Sequence, residues 1–288
     1  VDELPGGVIL RRGVRGDGAS VISLWAKHDE IDEGAVATDV ILDHLFDRAE
    51  VVIAEADGAV VGFGATIRVG TITHLTDLFV VRDRQGMGIG RALLRAAFGD
   101  AVDRTTFSSA DPRALPLYVR AGMRPWWPNL YLEAAVESLT RLTGGRTRVE
   151  HALLDAGEAG AAGRALGDAD RGPDYAHWER RPGGFLFGLR VHGTPAAVGA
   201  AAERLRGDGA RLLRLVVARD AQPVAAVLAM LQVVGERLGP VAFTLPGPHP
   251  ALATLLEAGV RIRDRDTFMA SCPGLVVPDR LLPHPAYL

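Results

Sequence analysis

The sequence predicts an α/β layered (α+β) chain of two tandem domains, each a mixed, mostly antiparallel sheet flanked by helices. Three observations carry this. Asp57-Gly58 joins two strand-length runs, a strong hairpin signal. Thr73 to Asp100 reads as an apolar strand, a glycine-rich turn and an amphipathic helix, which lays helices against a mixed sheet. The same order of elements returns after residue 149, as a duplicated fold would produce.

Length and composition bound the rest. The 288 residues approach two domains, and 48% hydrophobic content gives each a sizeable core. A net charge of −3, with arginines scattered among matching acids, argues against a broad nucleic-acid surface. Cys272 is the only cysteine, so no disulfide framework or cysteine-based metal site is expected. The eight histidines form no His-x-x-x-His pair, and no metal is assigned. No signal peptide or apolar run of about 18 residues is seen, so a cytoplasmic protein without membrane contact is expected.

In the first half, Val8 to Arg12 reads as a short strand, and Ala19 to Lys27 and Asp39 to Ala49 carry helical periodicity. Between those helices stand Asp29, Glu30, Asp32 and Glu33, which either steer a cationic ligand or form a solvated loop. Glu50 to Ala56 and Ala59 to Val69 are the hairpin strands, the second containing Val61-Gly62-Phe63-Gly64. The strand Thr73 to Val81 follows. After the glycine turn, Leu93, Leu94, Ala97 and Phe98 recur at helical spacing. Arg104 to Ser109 is a fifth strand. A strand pair around Trp126 and Trp127 closes the domain, and these tryptophans serve either as a packed hairpin tip or as a substrate wall.

Gly86, Gly88 and Gly90 are the centre of the functional reading. Glycines at a strand-to-helix junction let the backbone approach a ligand closely, where unpaired amides and the helix dipole favour an anion such as phosphate. No lysine follows, as a nucleoside-triphosphate loop would require. Arg91 or Leu93 stands where a dinucleotide fingerprint needs its third glycine. What fits is Gln85-Gly86-Met87-Gly88-Ile89-Gly90. It resembles the Gln/Arg-x-x-Gly-x-Gly/Ala signature of GNAT-type acyl-CoA N-acyltransferases.

A second stretch agrees. Asp111 to Met123 resembles the family's Asn-x-x-Ala-x-x-Leu-Tyr-x-x-x-Gly-Phe motif, with Ala114, Leu117, Tyr118 and Gly122 at matching intervals. Asp111 replaces the usual Asn, which puts an awkward negative charge near the coenzyme, and Met123 replaces Phe. Pro116 then lies in the first turn of its helix.

The resemblance implies acetyl-CoA as cosubstrate and a small-molecule amine as acceptor. It places the coenzyme pyrophosphate on Gln85 to Gly90 with Arg91, and makes Asp111 and Ala114 further coenzyme contacts. The pantetheine arm is expected to pair with the backbone of Phe79, Val80 and Val81 like an extra strand. The link between the first two helices, with Asp29, Glu30 and Asp32, is expected to border the acceptor site together with Trp126 and Trp127. An alkyl amine has a pKa near 10 and needs a base at neutral pH. Asp77, where relatives carry an acid, is either that base or a residue that holds backbone or substrate. Tyr118 can donate a proton to the departing thiolate. An O-acyltransferase and a non-catalytic acyl-CoA-binding or interaction protein are the alternatives.

The second half reads as a worn copy. Residues 1–134 form the intact domain, 135–148 a linking helix, and 149–288 the degenerate domain. Val198-Gly199-Ala200 stands where Val61-Gly62-Phe63 stood. Gly62 to Val80 spans 18 positions and Gly199 to Val216 spans 17. Phe107 to Gly122 spans 15 and Phe243 to Gly259 spans 16. The glycine turn is replaced by Arg219-Asp220-Ala221-Gln222-Pro223, and Leu255 replaces Tyr118, so this domain is expected to be catalytically silent. The Pro-rich end after Cys272 has no regular pattern and reads as an arm over a neighbouring surface.

Overall fold

A computed structural model describes residues 4, 6–27, 38–144, 150–191, 193–205 and 207–288. The chain divides into two compact units, Val1–Pro125 with Met269–Cys272, and Trp126–Phe268 with Pro273–Leu288.

The first unit runs β1 (Ile9–Arg12), α1 (Gly18–Lys27), α2 (Thr38–Arg48), β2 (Ala49–Ala56), β3 (Ala59–Val69), β4 (Ile72–Val80), α3 (Ile89–Phe98), β5 (Arg104–Ser108) and α4 (Ala114–Arg120). Its strands follow sequence order across the sheet, antiparallel from β1 to β4 and parallel between β4 and β5. Asp57 and Gly58 both take positive φ, the requirement of the two-residue turn that joins β2 to β3.

Each face of this sheet has its own helices. On one, α1 and α2 bury Val21, Leu24, Trp25 and Leu45 against Val51, Ile53, Phe63 and Ala65. On the other, Ile89 and Leu93 of α3 pack with Ala54 and Val61, and Leu94, Ala97 and Phe98 pack with Leu75, Tyr118 and Met123. Gly62 is obligatory where α3 crosses β3, since a Cβ there would lie 2.6 Å from the Phe79 carbonyl oxygen. Pro116 sits in the first turn of α4, as expected.

The second unit contains β6 (Arg124–Ala134) from Trp126 onward, α5 (Val136–Thr143), β7 (Glu150–Leu154), α6 (Ala156–Ala165), α7 (Gly172–Glu179), β8 (Phe185–Val191), β9 (Thr194–Glu203), β10 (Ala210–Val217), α8 (Pro223–Leu238), β11 (Val241–Pro246), α9 (Leu252–Glu257), β12 (Arg261–Ala270) as far as Phe268, and β13 (Leu281–Pro283). Its sheet runs β12-β6-β11-β10-β9-β8-β7, with β13 also on β10.

The units divide at Trp126, whereas the sequence reading set its boundary after residue 134. The cause is β6, which pairs antiparallel with β11 from Asn129 to Ala134. Trp126 and Trp127 lie inside this strand and not at a hairpin tip. Likewise α5, read as a link, buries Leu139 and Leu142 in the core formed by α8 and its sheet. The end of the chain is no arm: residues 281–283 are a strand of the second unit.

Candidate active site

The site of the first unit begins with a bulge. Asp77 faces Ala65 and Leu75 faces Thr66, so Thr76 is an extra residue in β4. At the same point β4 loses β5. Only Thr73, His74 and Leu75 pair with Arg104, Thr105 and Thr106, and the last carbonyl, that of Leu75, accepts a bond from Thr106 Oγ1 at 3.0 Å. From Asp77 to Val80, β4 keeps β3 as its partner and no longer pairs with β5. Backbone donors and acceptors on such an edge can take an extended ligand as an added strand.

The turn after β4 is built around two left-handed glycines. Gly86 and Gly88 have φ of +81° and +85°, and a Cβ on either would meet no atom within 4 Å. The backbone is therefore bare on its outer side. The first helical bond of α3 runs from Ala92 N–H to Gly88 O at 3.1 Å, leaving the amides of Ile89, Gly90 and Arg91 ahead of the ladder. Ile89 is buried and anchors the helix, while Met87 and Arg91 are exposed at the turn. A Cβ on Gly90 would reach both Leu117 and Val80 at 3.8 Å, so α3 starts close to β4 and α4.

Val81 differs from Phe79 and Val80. Its N–H donates to Val61 O at 2.9 Å, and its carbonyl accepts from Arg84 N–H at 3.1 Å. Gln85 turns back, and its Nε2 donates to Val80 O at 3.0 Å.

The charge expected at Asp111 is compensated. Arg113 donates to it from Nε at 2.9 Å and from Nη2 at 2.6 Å, and from Nη1 to Gln85 Oε1. Asp111 thereby holds Arg113 beside the glycine turn. The sequence reading did not single out Arg113, although its spacing from Asp111 was visible. Ala114 is half-buried beside this pair, and Tyr118 is 7% exposed, in the cluster of Leu75, Leu94 and Met123.

Asp77 lies with the α1 face. Its Oδ1 accepts a bond from Trp25 Nε1 at 2.8 Å and its Oδ2 accepts one from Thr76 Oγ1 at 2.6 Å. Burial raises its pKa above the usual carboxylate range, and the two donors oppose that shift without cancelling it. Trp25 is itself fixed, edge-on to Phe63 at 6.0 Å, and Phe63 stacks on Phe79 at 5.5 Å. A carboxylate held this way is preorganised and more basic than one in water.

Asp29, Glu30 and Asp32 lie outside the described residues. Trp126 is 41% exposed and Trp127 stacks on Phe268 at 4.3 Å, both within the second unit. Among the described residues, no helix is long and apolar enough to cross a membrane.

Residues 47–124 match the family model described as an acetyltransferase (GNAT) domain. The chain carries a GNAT domain. The match runs from the β2–β3 hairpin through the bulge, the glycine turn and α4. Among solved structures, a Pyrococcus horikoshii protein assigned as an acetyltransferase is similar over 100% of this chain and 98% of its own, at 15% identity and a TM-score of 0.75. A tandem GNAT protein of the clavulanic acid biosynthesis pathway is similar over 93% of this chain and 99% of its own, at 16% identity and a TM-score of 0.61. A GCN5-related N-acetyltransferase from Sphaerobacter thermophilus covers 96% and 99%, at 15% identity and a TM-score of 0.57. At these identities the likeness is one of fold, and it extends over both units. No curated protein sequence matches the chain.

GNAT acetyltransferases use acetyl-CoA, and the GNAT domain fits that group. Left-handed glycines with no atom near their outer side suit a phosphate approaching the backbone, and the parting of β4 from β5 suits an amide-bearing arm.

Proposed function

We propose that the first unit transfers an acetyl group from acetyl-CoA directly to the amine of a small molecule. The observation that carries this is the coincidence, at one end of β4, of three features: the bulge at Thr76, the parting of β4 from β5 after Leu75 and the bare glycine turn. A plain glycine turn needs none of the others.

In this reading Gln85 to Gly90 and the first amides of α3 receive the pyrophosphate, with Arg91, Asp111 and Ala114 flanking it. Arg113 offsets the negative charge of Asp111 at the same place, so that the acid does not repel the phosphates. The edge of β4 at Phe79 and Val80, continued by Val81, aligns the pantetheine arm. When bound, acetyl-CoA supplies the acyl group as a thioester.

The chain's own residues then move protons. Asp77 takes the proton of the incoming ammonium on its carboxylate, directly or through water. Its raised pKa favours that transfer, and the bonds from Trp25 and Thr76 keep the group aimed. The Tyr118 hydroxyl gives a proton to the leaving sulfur. Asp29, Glu30 and Asp32 attract a cationic acceptor. The second unit takes no part in the chemistry, and the protein works in the cytoplasm.

The test is coenzyme A release from acetyl-CoA, followed as free thiol, with a panel of amines and alcohols offered to the purified full-length chain. Amine-dependent release supports the reading. Release only with alcohols would make it an O-acyltransferase, and coenzyme binding without release under the whole panel would leave an acyl-CoA-binding protein.

A further inference from the structure

The second unit repeats the bulge and the splay of the first. Leu212 faces Ala201 and Arg214 faces Ala200, so Leu213 is an extra residue in β10, as Thr76 is in β4. Parallel pairing with β11 is confined to Ala210–Val241 and Arg211–Ala242, after which β10 and β11 part. In this unit, however, the gap is filled. Residues 281–283 pair antiparallel with β10, Leu281 against Val216, Leu282 against Leu215 and Pro283 against Arg214. On the far side Thr244 Oγ1 of β11 donates to the Pro283 carbonyl. The strand β13 thus lies between the two strands that splay.

The residues after β13 continue to the other face of the sheet. Leu282 is fully buried in the core of α5 and α8, whereas Leu281 and Tyr287 belong to the cluster of Tyr175 and Trp178 from α7. There two buried arginines receive main-chain oxygens. Arg171 donates to Tyr287 O at 2.6 Å and to Leu288 O at 3.2 Å, and Arg214 also donates to Leu288 O. Arg214 is the residue immediately after the bulge, the position held by Asp77 in the first unit. At its other end the segment is fixed by Arg280, whose Nη1 donates to the carbonyls of Ala218 and Ala221 at 2.5 and 2.8 Å. Ala221 lies in the loop that replaces the glycine turn, and Ala218 immediately precedes that loop.

We infer that the second unit is a groove for an extended peptide, and that its occupant is this chain's own segment 280–288. The segment adds a strand to β10 where β10 parts from β11, and Arg171 and Arg214 read its carbonyl oxygens. The unit therefore accepts a peptide strand in place of an acyl-CoA arm. The inference stands whether or not the first unit proves to be an N-acetyltransferase, because every contact it uses lies in the second unit.

The test uses the folded full-length chain. A single protease site is placed at Pro273-Gly274, both exposed, and is cut after purification. The fragment is expected to co-elute with the body on size exclusion, in the presence of saturating acetyl-CoA as in its absence. A labelled synthetic peptide of residues 275–288 is expected to exchange into the nicked protein. The same peptide carrying Leu282→Asp should compete at least about tenfold more weakly, since it would bury a charge where Leu282 is fully enclosed. Elution of the fragment apart from the body, expulsion of the fragment by acetyl-CoA, or equal competition by the two peptides would each overturn the proposal.

Discussion

Replacing Gly88 by alanine separates a ligand role from a backbone role, because a matched control exists in the same unit. Gly88 has φ of +85° and Gly58, in the hairpin turn, has φ of +76°; at neither would a Cβ meet an atom within 4 Å. The left-handed conformation costs an alanine about 1–2 kcal/mol at either position. Both variants should therefore lower the Tm of the first unit alike, by roughly 3–8 °C. Coenzyme affinity should differ. On Gly88 the new methyl group stands beside the amides that open α3, where the pyrophosphate is proposed to bind. Loss of one charge-assisted hydrogen bond, about 1.5–3 kcal/mol, weakens binding roughly 10- to 150-fold. Calorimetric titration with acetyl-CoA, alongside thermal melts of both variants, reads the two effects separately. Equal affinity in Gly88→Ala and Gly58→Ala would refute the placement of the phosphate.

Three further outcomes are expected. Tyr118→Phe should lower turnover by roughly 10²-fold or more with little change in acetyl-CoA affinity, and unchanged turnover would remove Tyr118 from the mechanism. Asp77→Asn should abolish the acid limb of the pH–rate profile. Trp25→Phe, which deletes a donor to the carboxylate, should move that limb to higher pH, and an unmoved limb would exclude Asp77 as the base. His249 is 2% exposed, its Nδ1 accepts a bond from Ala251 N–H at 3.1 Å, and burial lowers its pKa to about 4. The unfolded value is the higher one, so its contribution is present above pH 6.5 and is lost as pH falls toward 4. That loss amounts to about 3 kcal/mol, and His249→Gln should flatten the dependence in chemical denaturation across this window.

What could be read from the sequence was local. The Asp57-Gly58 turn, the strand–glycine–helix stretch and the placement of Pro116 all depend on neighbours in the chain. Gly86 and Gly88 take positive φ because a tight turn demands it, and that demand is written in residue type. The two bulges were not legible, since a bulge shows only when a strand's partner is known. Nor was the destination of β6, whose alternation is the same whether it pairs within the first half or with β11. The helix α8 escaped for another reason: it is buried on most of its faces, so no amphipathic period marks it. Arg113 could have been found from its spacing to Asp111, had the unusual acid been asked for its partner. Residues 281–288 combine three leucines, two prolines and a tyrosine, a composition that suits a surface arm or a buried plug equally well.

The bare glycine turn after β4 and the filled edge of β10 lead to the proposal of one acyl-CoA site in a chain of two similar units. Calorimetric titration of acetyl-CoA into the full-length protein tests it most directly. One mole of coenzyme per mole of chain is expected, falling to none when Gly86 and Gly88 are both replaced by valine. Two moles per chain, or one mole that survives the double replacement, would contradict it.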